Sequence, residues 1–458
     1  MRVVRAIVTM QIARHTSSIV SAVLTPSLAK NARLGHPRFR YAKREQGQRL
    51  GPPAFERFQV YSLVRSRYGY LISLPWGAVI LMFRCIYSLA EQERSDREHI
   101  LQNFLGARWV SHEIVSDDLQ RAFGRGIDVD FEKTLQVIRN LMGTRGGRGG
   151  NGPTLKVTTT IGGHRVNLLP SGRVQMAAPI LQEIDLPNGQ KQVRVNAATP
   201  EQLAWALAQV KAKYPGTPID EKALLASANV TEGYINDPIV HKLELGGPEL
   251  FRGLLKACFN LLGAEHPERA LLPCFNGVRD YIREGIGGAA SYARWYASTE
   301  FPNLPRLGPA DQHIFIVCRG SSVEGVTQLF GGLVYPFQLT DSYSGPAFTS
   351  GYVVDPFRES EPAEMRNPEF DAAAVPVFSE QEDDWNEAVS RCHERGVAKI
   401  MNLHFNRHRE AVIERSFREV ATSHGGDEFT EEMAAELADR LAKRFLRIER
   451  DLGPYKKS

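Results

Sequence analysis

Cysteine is scarce in this chain: Cys85, Cys258, Cys274, Cys318 and Cys392 are the only five in 458 residues, and they lie far apart. That scatter excludes a disulfide-stapled secreted scaffold and points to a reducing, cytoplasmic setting. Long apolar runs are missing too. Between Arg67 and Arg84 lies YGYLISLPWGAVILMF, sixteen uncharged residues broken by Pro75. It falls short of the roughly 20 apolar residues that a membrane-spanning helix requires, so no membrane association is expected. No phosphate-binding P-loop or dinucleotide fingerprint is present. The glycine-rich stretch RGGRGGNGP (145–153) lacks the Lys-Ser/Thr ending and follows no clear strand. Acidic residues are nearly absent at the start: residues 1–81 hold eleven Arg and two Lys against Glu45 and Glu56, a net charge of +11.

With a total of +4, the remaining 377 residues carry −7, a mildly acidic body. The Arg-rich, Ser-bearing opening fits an organellar transit segment or a basic arm for phosphates. A plainer reading takes residues 1–81 as an upstream extension outside the natural protein, because MFRCIYSL from Met82 reads like a protein start. An apolar content of 43% is enough for two or three cores.

The expected fold class is α+β, with a small module at 82–144, a flexible Gly/Arg linker at 145–153, and a larger α+β region at 154–458 ending in a charged helical tail. Phe131, Leu135, Ile138, Leu141 and Met142 recur at helical spacing after Asp128 and Asp130, and Gly143 suits the helix end. Strands are expected over 154–195, with turns at Pro170-Ser171-Gly172 and Asn188-Gly189. Thr199 and Pro200 begin a helix whose apolar positions are Leu203, Trp205, Leu207 and Val210. GGPELFRGLLKACFNLLG and PCFNGVRDYIREG read as helices, and HIFIVCRG, GGLVYPFQL and SGYVVDPF as strands. His404 and His408 in HFNRHRE lie one helical turn apart, and their basic neighbours suggest a solvated helix face. Cys258 and Cys274 sit in apolar company and read as core.

The chemistry concentrates between Cys85 and Gly150. A small nuclease needs a base to activate water, a divalent cation beside the phosphate, and a rigid frame. In a module too small for its own core, two Cys-x-x-Cys pairs around a structural zinc often provide that frame. Here CIYS offers Cys85, with Ser88 where the second thiolate would stand, and SDDLQ puts Ser116 and Leu119 in place of the other pair. One thiolate of four cannot close a tetrahedral site, so no structural zinc is expected. His99 is the candidate base, with Asp96, Glu98, Asp117 and Asp118 as hard oxygen ligands for Mg²⁺ or Mn²⁺. His112 reads as a surface histidine.

The run CIYS, SDREHILQNFLGARW and EIVSDDLQRAFGRGIDVDFEKTLQVIRNLMGTRGG resembles the HNH endonuclease family of the Cys-x-x-Cys, Glu-His-Ile, Cys-x-x-Cys-Asn type. The resemblance covers about 65 residues and implies a ββα-metal module. It places His99 at the general-base position, Glu98 before it, Gln120 where the family has Asn, and Cys85 at the first zinc thiolate. Glu98, Gln120 and Asp96 are then the expected metal-binding residues. The implied activity is divalent-metal-dependent hydrolysis of nucleic acid, DNA above all, weakened by Gln120. Arg121, Arg125, Arg145 and Arg148 are the expected nucleic-acid contacts. The alternative is an inactive nucleic-acid- or protein-binding module on the same scaffold.

Overall fold

The computed structural model describes residues 82–93, 96–159, 163, 165–185, 191–215, 239–294, 301, 303–357, 363–378, 385–425 and 428–452, together with strands at 7–12, 16–20, 64–66, 69–73, 79–81 and 230–234. It is α+β, as the alternating and helical patterns require. The apolar stretch after Arg67 contributes two strands: Gly69–Ser73 pairs antiparallel with Val79–Arg84, Tyr70 opposite Met82. No helix among the described residues is long and apolar enough to cross a membrane.

A central helix, α4 (Pro248–Glu265), organises the rest. Proline at its first turn suits a position whose N–H has no helical partner. Leu250, Leu254, Leu255, Cys258, Leu261 and Leu262 are all buried, so the helix is apolar around most of its circumference and must be covered on more than one side. One cover is a five-stranded antiparallel sheet of β1 (Gln312–Arg319), β2 (Ser322–Leu329), β3 (Leu333–Thr340), β4 (Thr349–Asp355) and β5 (Ala363–Arg366), in the order β3-β2-β1-β4-β5. Successive side chains of β1 serve opposite faces, as strand geometry dictates. Ile314, Ile316 and Cys318 join the core around α4, whereas Phe315 and Val317 join a second cluster with Phe301, Leu304 and Val375. Both faces are therefore buried, which explains why HIFIVC is apolar without alternation.

The other cover is the segment from Cys85 to Gly150. A two-residue strand Glu98–His99 pairs antiparallel with Val110–Ser111. Helices α1 (Asp117–Arg125) and α2 (Ile127–Met142) follow. Ser116 caps α1, accepting from the Leu119 N–H at 3.4 Å, and Gly143 ends α2 at a φ of 66°, a left-handed conformation that favours glycine. Helix α2 lies against α4 at a close crossing, where the side chain of Phe131 covers Gly253.

Several expectations hold: the Pro170-Ser171-Gly172 turn, the Thr199 cap, the paired strands Ile180–Asp185 and Lys191–Asn196, and the helical tail α7 (Trp385–His424) and α8 (Glu431–Leu452). The Asn188-Gly189 turn lies outside the described residues. Further helices among the described residues are α3 (Pro200–Lys213), α5 (Pro267–Ala270) and α6 (Asn276–Glu284). Trp205 departs from expectation, since 53% of its surface is exposed while Leu203 and Leu207 are buried.

Two departures matter more. Residues 145–153 are not a free linker. Gly146 N–H donates to Gly150 O at 2.8 Å, Gly147 N–H to Asn103 O at 2.9 Å, and Arg108 Nε to Gly147 O at 2.6 Å, so the loop is pinned on the module. Nor do the segments before and after it keep separate cores: one cluster runs from Phe83 and Tyr87 through Phe131 and Phe259 to Tyr352 and Met401. Strands from the first 81 residues also join the body, Ile7–Ile12 pairing with Ile239–Glu244 and Thr16–Val20 with Val230–Tyr234.

Candidate functional site

The strand Glu98–His99 and the turn after it, α1 from Gln120 to Gly124, one side of α2, the loop at 146–151 and Lys256 of α4 line an open cleft of about 420 Å³. His99, Gln120, Asn103, Arg97, Arg121 and Lys256 are among the residues that line it. Two residues that the resemblance pairs, His99 and Gln120, therefore face one space although 21 positions separate them.

His99 is partly buried. Burial, then the positive charges of Arg148 and Lys256, lower its pKa to about 4, so the imidazole is neutral at pH 7. Its Nε2 lies 3.5 Å from Asn103 Nδ2. A neutral ring in a cleft is in the correct protonation state for a base.

The expected metal ligands do not converge in the same way. Glu98 is buried, and its Oε1 accepts from Lys256 Nζ at 2.7 Å and from Asn260 Nδ2 at 3.0 Å. Lys256, only 1% exposed, also donates to both Asp128 oxygens at 2.9 Å and sits 5.0 Å above the Phe123 ring. Burial works against its charge, but Asp128 and Glu98 outweigh it and the ammonium titrates above the ordinary lysine range. Glu98 moves up through burial, a shift that Lys256 and Asn260 partly oppose. Gln120 spends its amide on the Arg97 carbonyl oxygen. Asp96 is exposed, lies outside the cleft lining, and donates its backbone N–H to Asp117 at 2.7 Å. Among the described residues no three His, Cys, Asp or Glu side chains gather as a metal-holding group. The donor set therefore does not fit a divalent ion: the nearest carboxylates already hold a cation, and the amide is turned to the backbone.

The four positions of the degenerate zinc frame do other work. Cys85 is buried and its Sγ accepts the Ser88 N–H at 3.5 Å, leaving the Ser88 side chain outside. Ser116 caps α1, and Leu119 packs against the core. In place of a metal, the downstream region braces the module. Tyr87 OH donates to Asn260 Oδ1 at 2.6 Å, Asn260 Nδ2 donates to His99 O at 3.0 Å, and buried Arg279 donates to Ile86 O at 2.7 Å and Leu272 O at 3.0 Å.

Of the expected nucleic-acid contacts, Arg121 lines the cleft but pairs with Asp118 at 2.7 Å. Arg148 is exposed on the pinned loop, close enough to depress the His99 pKa. Arg125 is exposed on α1 beyond the cleft lining, and Arg145 lines a second cleft instead. That second cleft also corrects the reading of His404 and His408. They line it beside Arg407, which donates to Met142 O at 2.6 Å, and burial lowers the His404 pKa to about 4, so this is not a fully solvated helix face.

Sequence reasoning missed Lys256 and Asn260. Their signal was present: GLLKACFN sets a lysine and an amide one helical turn apart in an otherwise apolar helix, a burial that demands partners. Asp128 read only as a helix-start residue. Comparison with protein-family models, characterised proteins and solved structures returns no match for this chain.

Proposed function

We propose that this protein is an HNH-like nucleic-acid-binding module, working in a reducing cytoplasmic setting, which keeps the ββα arrangement and binds the phosphate backbone without hydrolysing it. Support for the scaffold comes from chain order: a strand ending in His99, a paired strand, then α1 carrying Gln120 toward the same cleft. The observation that carries the choice of binding over cleavage is the buried Lys256 ammonium, which already joins Glu98 to Asp128. A carboxylate neutralised by an internal lysine is a poor ligand for Mg²⁺ or Mn²⁺, hard cations that favour anionic oxygen. Arg97 at the cleft and Arg148 on the adjoining loop supply exposed basic groups, and Arg145 another at the second cleft, where phosphate contact costs little desolvation. This local field is what a phosphate meets, despite the net −7 of residues 82–458.

A second reading, metal-dependent cleavage of DNA, is favoured by the neutral imidazole of His99. One paired assay separates the two. Fluorescence anisotropy with a labelled DNA duplex is expected to show binding that weakens with salt, and Arg148→Ala should lower the log–log salt slope by about 1. Plasmid nicking with Mg²⁺ or Mn²⁺ is expected to stay at background for the wild type and for His99→Ala alike. Nicking that His99→Ala abolishes would establish the nuclease instead. Salt-independent or absent binding to DNA and to RNA would remove nucleic acid as the ligand.

A further inference from the structure

We infer that Lys256 is a resident cation seated where a divalent metal would otherwise bridge Glu98 and Asp128, so that the fold carries a latent two-carboxylate metal site which its own lysine occupies. The inference rests on the HNH-like reading for its contrast with a metal-dependent relative, but its geometry stands on this chain alone.

Three facts carry it. Lys256 Nζ lies 2.7 Å from Glu98 Oε1 and 2.9 Å from each Asp128 oxygen, so two carboxylates from separate elements converge on one point. Those spans are longer, by up to about 0.9 Å, than the roughly 2.0–2.6 Å at which oxygen ligands hold Mg²⁺ or Ca²⁺, so the carboxylates would have to draw in around a bare cation. The point is beside the cleft that holds His99, since Lys256, Glu98 and Asp128 all line it. The carboxylates are also held in place independently of the lysine: Asn260 Nδ2 donates to Glu98 and Gln102 Nε2 to Asp128 at 3.1 Å. Removing the ammonium leaves two oriented carboxyl groups aimed at one point, a repulsion that only a bound cation or a proton taken up by one of them relieves. Two carboxylates with water completing the shell is a common way for proteins to hold Mg²⁺ or Mn²⁺.

The test is Mn²⁺ binding to the full chain, read by loss of the free-ion electron paramagnetic resonance signal and by thermal shift. Lys256→Ala is expected to bind one Mn²⁺ at least about tenfold more tightly than wild type and to regain thermal stability with it, and adding Glu98→Gln should abolish both effects. A folded Lys256→Ala protein that takes up no Mn²⁺ overturns the inference, as does a wild type that binds Mn²⁺ equally well with a dependence on Glu98. If Lys256→Ala folds only when Mn²⁺ is added, the inference is supported.

Should it fold under neither condition, competitive amine acetylation of the wild type decides. Lys256 should react at least about a hundredfold more slowly than exposed Lys133 and be indifferent to Mn²⁺. Labelling at the Lys133 rate, or labelling that Mn²⁺ accelerates, overturns it. None of these readouts involves DNA, so failure here leaves the binding assay untouched, and failure there leaves the cation seat untouched.

Discussion

At the scale of single residues, the most consequential atom group is the ammonium of Lys256. A buried charge persists only when paired and hydrogen-bonded, and here all its donors are directed at Glu98 and Asp128. Breaking a buried pair by removing one partner leaves the other charge uncompensated, which costs several kcal/mol. Glu98→Gln is therefore expected to destabilise the protein by about 3 kcal/mol, the lower end of that range because Asp128 remains. The shift of the urea-unfolding midpoint checks this, and a loss below half that size would mean that Asp128 alone satisfies the lysine. Cys85 makes a contrasting case. Its position was legible as a thiolate, yet the turn that it anchors survives on an N–H to sulfur contact and burial.

At the scale of elements, α4 is legible as a helix from its spacing, but its neighbours are not. Gly253 reads as a weak helix residue, and replacing it with alanine in an exposed helix would gain up to about 1 kcal/mol. The structure reverses the sign. A Cβ there would lie 2.6 Å from Phe131 Cγ and 2.8 Å from its Cβ, too close for the ring to swing clear. Overpacking of this kind costs about 1–3 kcal/mol, so Gly253→Ala should be net destabilising despite better helix propensity, as thermal unfolding will show. The same logic explains the loop at 145–153. Glycine composition suggested freedom, whereas a Cβ on Gly147 would lie 2.1 Å from the Ala107 carbonyl oxygen, so glycine there permits close packing.

At the scale of the whole molecule, burial of histidine sets the pH range of stability. His99, His393 and His404 each have pKa values lowered to about 4, in every case mainly through burial. In the unfolded chain they titrate near about 6.5 and so take up protons first. Their contribution is fully present above that value and is lost as pH falls toward 4, each by at most about 3 kcal/mol. Glu98 and Glu324, raised by burial, act in the opposite sense and soften the lower end. Denaturant unfolding at pH 7 and pH 5 should show a clear loss of stability at the lower pH, and His393→Asn should reduce that loss. Equal midpoints at both pH values would contradict the buried, neutral state of these rings.

The amino-acid sequence determined what is local. Helical spacing fixed α2 and α4, Pro170-Ser171-Gly172 marked its turn, and the Glu98-His99 step with its ordered flanks marked the cleft, because periodicity and turn chemistry act over a few neighbouring residues. Tertiary structure alone decided what surrounds that step. Lys256 and Asn260 arrive from more than 150 positions away, and the burial that turns Glu98 inward and neutralises His99 is a property of the assembled core. Electrostatic environment depends on solvent exclusion and on charges brought together through space, so no local pattern around His99 could have shown whether its neighbouring carboxylate was open to a metal or already held by an ammonium.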